Sequence, residues 1–238
     1  MSAMNERRWN YERWVSEQKC AIVILNQPLN GRQCEAISRW WTSVHVRVCA
    51  DGGSNRLFHE LPQLTPDLIV GDLDSVEKDV LLEYQTRGVE VCETQDQNFT
   101  DFTKCLQVIA KRLPDIEIVL AFCISSGRLD QIMGNVNTLC NSEKFMRADI
   151  VLHAGDEITW ILRKGRHRIL TPESARGGYC GIIPIGRPVT VTSRGLKWDL
   201  NSTQLEFKEL ISTSNRAIAD EIQIETTDDL LWTMTLKH

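Results

Sequence analysis

Asp72 and Asp74 stand two residues apart in the segment GDLDS, and in extended backbone side chains at that spacing project to the same side. Two hard carboxylate oxygens presented together can hold one small divalent cation. Mg²⁺ suits such a pair because it keeps several of its waters while bridging to phosphate oxygens. The alternative use of the same residues is a polar turn whose aspartate caps the following helix. Three further acidic segments flank this one in sequence: CADGGSNRL around Asp51, TQDQNFTDFTK around Asp101, and SSGRLDQ around Asp130. In DGGSNRL, Gly52 and Gly53 either let backbone amides approach an anion without a Cβ in the way or make a tight turn. Thr100 and Asp101 are placed to open a helix with Thr100 as its N-cap. The same helix N-terminus can receive phosphate oxygens, and Asp101 there can complete a metal cage with Asp72 and Asp74. Lys104, one turn in, reads as a solvated face residue. Arg128 is a candidate contact for a phosphate or a base. Neither GxGxxG nor GxxxxGK[ST] occurs, so the P-loop route to phosphate is absent.

These segments matter through the elements that position them. Up to about residue 152, short β-rich runs at 21–25, 44–50, 68–70, 89–92, 116–124 and 150–152 alternate with helical spacing at 34–42, 55–60, 77–86, 102–112 and 129–141. Runs such as IVLAFCI are apolar on both faces, which is how a central parallel strand covered by helices reads. The rhythm predicts an α/β domain with a doubly wound, mostly parallel sheet over residues 19–153. Ligands of such sheets bind outside the carboxyl ends of the strands, and the four acidic segments each follow a predicted strand, the second to the fifth. From residue 154 to 238 the pattern changes to short alternating runs, one of them at 196–198, separated by Gly, Pro and Asn turns. An all-β sandwich is expected there. Residues 1–18 are set apart as an N-terminal extension.

Composition narrows the class of function. The chain has 238 residues, is 42% hydrophobic and 25% charged, and carries a formal net charge of -5, so it offers no overall basic field to a phosphate backbone. Nucleic acid is not an expected partner. The longest apolar runs are well short of the roughly 20 residues that span a bilayer, so no membrane is expected either. The first residues, MSAMNERRWNYERW, lack the character of a leader, and the expected address is cytoplasmic. The eight cysteines show no CxxC pair and share no ligand-like spacing with the five histidines, so they read as reduced thiols rather than a disulfide or zinc framework.

The four acidic segments in this order, together with ILNQPLN, QIMGNVNTL, CGIIPIG, GLKWDL, STSN and LLWTM, resemble the thiamine pyrophosphokinase family over nearly all of the chain after Lys19. The resemblance implies Mg²⁺-dependent transfer of a pyrophosphoryl group from ATP to the hydroxyl of thiamine, giving thiamine diphosphate and AMP. It implies that Asp72, Asp74 and Asp101 hold the metal and that Thr100 joins them as a catalytic position. Asp51, Asn55, Gln97, Arg128 and Asp130 would line the ATP site. For thiamine it implies Trp198 as an aromatic face for the cation and Ser212, Ser214 and Asn215 as polar contacts. Without the resemblance, Trp198 reads as sandwich core, like Trp160 and Trp232. A homodimer with composite active sites is implied as well.

Four positions depart from the family pattern: Cys123 and Ile124 stand where glycines are usual, Asn98 where an acidic residue is common, and Phe99 where His is common. Two other functions remain open on the residues alone. A sensing module would bind ATP or thiamine diphosphate without turnover, but it would have no use for the acidic set. A diphosphotransferase acting on a different, phosphorylated or sugar alcohol would want basic residues beside Trp198, and none is expected to cluster there.

Overall fold

The runs CAIVI and IVLAF have no polar face, and every residue of both is buried, as strands covered on two sides require. In the computed structural model, which describes residues 6–236, the chain divides into two units. One is Val15–Gly155. The other joins residues 6–14 to residues 156–236.

The elements begin with strand β1 (Glu6–Asn10) and a single turn, α1 (Trp14–Glu17). The first unit then runs β2 (Cys20–Ile24), α2 (Gly31–Trp40), β3 (Val46–Ala50), α3 (Gly53–Glu60), β4 (Leu68–Gly71), α4 (Lys78–Thr86), β5 (Glu90–Glu93), α5 (Asp101–Arg112), β6 (Ile118–Phe122), α6 (Leu129–Asn141) and β7 (Asp149–Ala154). Its strands pair in the order β7-β6-β2-β3-β4-β5, and every pairing is parallel. The chain moves outward from β2 to β5 and then returns to lay β6 and β7 on the other side. Strand order therefore reverses at β2, the place where sheets of this kind bind their ligands.

Local chemistry sets the helix ends. The helix expected from residue 34 starts at Gly31, because Asn30 and Gln33 form a reciprocal capping box: the Asn30 side chain accepts from the Gln33 N–H, and the Asn30 N–H donates back to Gln33 Oε1 at 3.0 Å. Gln33 is itself buried and donates its amide to the carbonyls of Cys123 and His153, at 2.6 and 2.8 Å, tying together the carboxyl ends of β6 and β7.

The second unit continues with β8 (Glu157–Leu162), β9 (Gly165–Leu170), β10 (Tyr179–Pro184), β11 (Val189–Arg194), β12 (Thr203–Leu205), β13 (Ser212–Arg216), β14 (Glu221–Thr226) and β15 (Leu230–Thr235). β1, β9, β14, β11 and β12 form one sheet, and β13, β10, β15 and β8 pair antiparallel in another. The all-β character expected after residue 154 holds, with two revisions. Residues 196–198 are not a strand but part of a turn, because the Asp199 carboxylate accepts from the N–H groups of Gly195 and Leu196 and from the Ser193 hydroxyl, and Gly195 has φ 94°. The strands β12 and β13, too polar to show a clear alternation, were not anticipated.

The N-terminal stretch is also more than an extension. β1 pairs in parallel with β9, and Trp9 and Trp14 are buried against Trp160, with ring centroids 5.3 and 5.6 Å away. Trp232 adds a fourth indole 6.3 Å from Trp160. Each buried aromatic of this kind removes a large apolar area from water, so Trp9 and Trp14 make this stretch contribute to the core of the β unit. Residues 1–5 of the expected extension lie outside the described residues.

Candidate active site

The acidic segments meet at the carboxyl ends of the parallel strands. Asp51 follows β3, and Asp72 and Asp74 follow β4; each of the three places one carboxylate oxygen within 4.8 Å of the others. The convergence does not come from extended backbone, as the two-residue spacing suggests. Leu73 has φ 64°, so GDLDS bends between its two aspartates, and Asp51 has φ 43°. Left-handed backbone is strained for a bulky residue such as leucine, and two such positions side by side mark a segment held by its surroundings. Gly71 is what lets the two strands' ends approach: a Cβ there would lie 2.6 Å from Asp51 Cβ. Gly53 plays a similar part for α3, since a Cβ would fall 2.2 Å from the Ile24 carbonyl oxygen. The glycines of DGGSNRL thus serve close packing against β2.

The carboxylates differ in environment. Asp51 is 2% exposed; its Oδ2 accepts the Ser75 N–H at 3.2 Å, while Oδ1 is buried without a hydrogen-bond partner. Burial raises its carboxyl above the ordinary value, Ser75 opposes the shift, and the Asp101 charge adds to it. Asp72 Oδ2 accepts from Gln97 Nε2 at 2.9 Å and from Lys104 Nζ at 3.2 Å, and its Oδ1 is likewise buried and unpartnered. The Gln97 bond, helped by Lys104, outweighs burial and holds the Asp72 carboxyl below its usual range. Asp74 is exposed and accepts the Ser75 hydroxyl at 2.8 Å.

Asp101 is outside this trio. Thr100 caps α5, accepting the Thr103 N–H at 3.2 Å, and Asp101 opens the helix and pairs with Lys104 at 3.0 Å. Lys104, expected on a solvated face, has a side chain only 4% exposed, because α5 turns it inward onto Asp72 and Asp101. Burial pulls its pKa down, but the two carboxylates more than compensate and hold it above the ordinary lysine value.

A cavity of about 330 Å³ adjoins the acidic group and is lined by Asn26 and Gln27 after β2, Ala50 at the end of β3, Thr100 to Phe102, and Asp130, Gln131, Gly134 and Asn135 of α6. It lies at the strand-order reversal. Of the residues expected around ATP, Asp130 lines it. Arg128 is exposed and engages Asp130 through both carboxylate oxygens. Asn55 reaches the loop after β4 instead, donating to the Ser75 carbonyl and accepting the Glu77 N–H, each at 2.9 Å. Asn26, Gln27, Gln131 and Asn135 were not singled out from the sequence. The signal was available: Asn26 and Gln27 directly follow the most apolar strand. Gln27 accepts the Ile124 N–H at 2.9 Å, so one of the backbone amides at the departure from the family pattern is already engaged. Asn98 donates twice to Asp96, and Phe99 is exposed.

The other expected site residues lie in the β unit. Trp198, on the turn held by Asp199, is 54% exposed, unlike the buried Trp160 and Trp232. Lys197 sets its ammonium 4.5 Å from the Trp198 ring centroid, whereas the Arg216 guanidinium lies over the Tyr179 ring at 4.8 Å and donates to the Tyr179 hydroxyl. Among the described residues a single ammonium, that of Lys197, therefore stands over this ring. Asn215 is buried and spends its amide on backbone: Oδ1 accepts from Trp198 and Arg216 N–H at 3.1 and 2.8 Å, and Nδ2 donates to the Trp198 carbonyl at 2.8 Å and to Ser212 Oγ at 3.4 Å. Ser214, exposed with φ 57°, sits where the β10–β13 register shifts, a bulge that explains its exposure.

A buried carboxylate oxygen with no partner carries a large desolvation cost, and two within one cluster of three acids form a donor set that a hard divalent cation satisfies. The residues fit such an ion. Residues 37–152 match the family described as "Thiamin pyrophosphokinase, catalytic domain", and residues 166–231 match "Thiamin pyrophosphokinase, vitamin B1 binding domain". The chain is 37% identical over 240 residues to thiamine pyrophosphokinase 3 of Oryza sativa subsp. japonica, covering 92% of this chain and 87% of that one. It is 38% identical over 237 residues to thiamine pyrophosphokinase 1 of Arabidopsis thaliana, covering 91% and 86%. Among solved structures, yeast thiamin pyrophosphokinase superposes with a TM-score of 0.85 at 22% identity, covering 99% of this chain and 93% of that one. The Candida albicans enzyme gives 0.84 at 23%, covering 98% and 93%.

Proposed function

The chain belongs to the thiamin pyrophosphokinase family, and from that premise we infer that it transfers the pyrophosphoryl group of ATP to the hydroxyl of thiamine, giving thiamine diphosphate and AMP. The observation that carries the inference to particular residues is the pair of unpartnered, buried carboxylate oxygens on Asp51 and Asp72, in a cluster at the strand-order reversal. Asp51, Asp72 and Asp74 would hold Mg²⁺, with Asp101 beside them. When bound, the ion neutralises charge on the polyphosphate.

The chain's own residues supply position. Phosphoryl-type transfer through a loose transition state asks chiefly for alignment and charge neutralisation. The cavity floor of Asn26, Gln27, Gln131 and Asn135 offers amides for the nucleotide. Thr100 and the N-terminus of α5 offer donors for phosphate oxygens, with Gln97, Arg128 and Asp130 near the same rim. Asn55 serves by fixing the loop that carries Asp74 and Ser75. In the β unit, Trp198 gives the thiazolium an aromatic face, Ser212 and Ser214 give it polar atoms, and Asn215 holds the tryptophan in place.

Assembly and location complete the reading. A homodimer with composite sites is the expected assembly, and the exposed Tyr179, Trp198, Phe207, Leu210 and Ile218 of the β unit are the large apolar side chains available to such an interface. A cytoplasmic address is supported by cysteines of which none is disulfide-bonded. Among the described residues no helix is long and apolar enough to cross a membrane. The deciding experiment is incubation of the purified protein with thiamine, ATP and Mg²⁺ while AMP and thiamine diphosphate are measured. Equimolar formation of both is expected; nucleotide binding without either product would make the chain a sensor.

A further inference from the structure

The Asp72 carboxylate is divided oxygen by oxygen. Gln97 and Lys104 both bond Oδ2, at 2.9 and 3.2 Å, and leave Oδ1 buried with no partner. Lys104 reaches in the other direction to Asp101 Oδ1 at 3.0 Å. A lysine ammonium carries three donors, and a side chain this enclosed is stable only where acceptors replace its water. Four carboxylates gather at this rim, Asp51, Asp72, Asp74 and Asp101, and Lys104 is the cation paired to two of them.

We propose that Lys104 is the resident counter-ion of the acidic cluster, a positioning residue that holds Asp72 and Asp101 together in competition with the divalent cation. The inference rests on reading the cluster as a cation site and goes beyond it. A fixed positive charge a few ångströms from an incoming dication opposes its entry through Coulomb repulsion and by occupying carboxylate oxygens the ion would otherwise use. The cluster is thereby kept from repelling itself when no ion is bound, and the bound ion is kept exchangeable. The chemistry therefore predicts an inverted result for a residue in an active site: removing it strengthens ligand binding.

The test uses the full chain without nucleotide and Mn²⁺ as the probe, followed by electron paramagnetic resonance and calorimetry. Lys104→Met is expected to bind Mn²⁺ on the order of tenfold more tightly than the unaltered chain. Its unfolding temperature should be lower without the ion and rise further when the ion is added. Lys104→Arg, which keeps the charge, should bind within about threefold of the unaltered chain. Equal or weaker binding by Lys104→Met overturns the proposal. Should that variant fail to fold, the decision passes to the unaltered chain labelled with ¹⁵N-lysine. There the Lys104 Nζ resonance must shift on titration with Mg²⁺, and an unmoved resonance at saturation overturns the proposal. An unaltered chain that binds neither ion sinks the cation reading itself, an outcome distinct from binding that ignores Lys104.

Discussion

Asn215 closes its side-chain amide on Trp198 from both ends, accepting the tryptophan's N–H at 3.1 Å and donating to its carbonyl at 2.8 Å. The polar group expected to face the substrate thus faces the backbone that carries the substrate's platform. Replacing it leaves buried donors and an acceptor unpaired, which costs about 1–3 kcal/mol. Asn215→Ala is therefore expected to lower stability by that amount and raise the KM for thiamine while leaving the KM for ATP unchanged. Steady-state kinetics with each substrate varied in turn, beside chemical denaturation, measures both; an unchanged thiamine KM would return Asn215 to a purely structural role.

Trp198 itself should behave as a surface residue in stability and a binding residue in kinetics. A cation over an indole contributes roughly 0.5–2 kcal/mol. Trp198→Ala is accordingly expected to raise the thiamine KM by about 2- to 30-fold, with stability altered by no more than about 0.5 kcal/mol. Trp160→Ala, made in the four-indole core, should instead cost about 3–5 kcal/mol. If the two variants are equally destabilised, the platform reading of Trp198 fails.

Asp72→Asn removes charge from the cluster but preserves shape and the Gln97 contact by an amide flip. Electrostatic stabilisation of transferring phosphates is worth about two to three orders of magnitude at a single group, so kcat should fall by that much. Circular dichroism and the unfolding midpoint should stay close to the unaltered protein. Activity within a few-fold of normal would take Asp72 out of the site.

Gly71→Ala probes geometry without touching charge. Gly71 does not have a positive φ, so alanine meets no backbone objection, but its methyl carbon would stand 2.6 Å from Asp51 Cβ. The aspartate must move, and a displacement of about 1 Å at a reacting centre costs roughly 100-fold in rate. A kcat loss of that order in a folded variant is expected, and a crystal structure should show Asp51 displaced. Normal turnover would mean that the cluster tolerates an Asp51 shift.

The β unit carries its own pH dependence. His167 accepts the Trp9 indole N–H at 3.0 Å and engages the Arg163 carbonyl at 2.6 Å, so it is held neutral. Burial lowers its pKa below 6.5, opposed by the Arg163 carbonyl, aided by the Arg7 charge and opposed again by Asp229. Its stabilising contribution is full above the unfolded value near 6.5 and is lost as the pH falls through the lower folded value. Denaturation between pH 8 and 5 should show stability falling on the acid side, with a shallower fall in His167→Gln. Parallel curves for the two proteins would assign the acid sensitivity elsewhere.

Much of the α/β unit was legible because its signal is apolar and periodic: CAIVI and IVLAF admit few other placements. Strand-end position then led to the acidic segments without any one motif. The reading was weaker where polar side chains do structural work. Lys104 has the sequence context of an outward lysine, and only the three-dimensional convergence of Asp72 and Asp101 explains its burial. Asp199 turned an expected strand into a loop by capping three donors, a contest between local side-chain bonds and the ladder that composition does not resolve. The bend at Leu73 is of the same kind, since nothing about leucine announces left-handed backbone.

The parallel pairing of β1 with β9 has a consequence for the order in which the protein can be built. Val15–Gly155 leaves the ribosome as one uninterrupted stretch and can close its sheet while synthesis continues. The opening strand cannot do likewise: Trp9 and the His167 it bonds are 158 positions apart, so the earliest described residues to emerge are among the last to find their partners. Until then the Trp9 and Trp14 indoles stand in water on a tether at the amino end. A nascent chain stalled after the first unit would present them as a sticky arm for chaperones to shield.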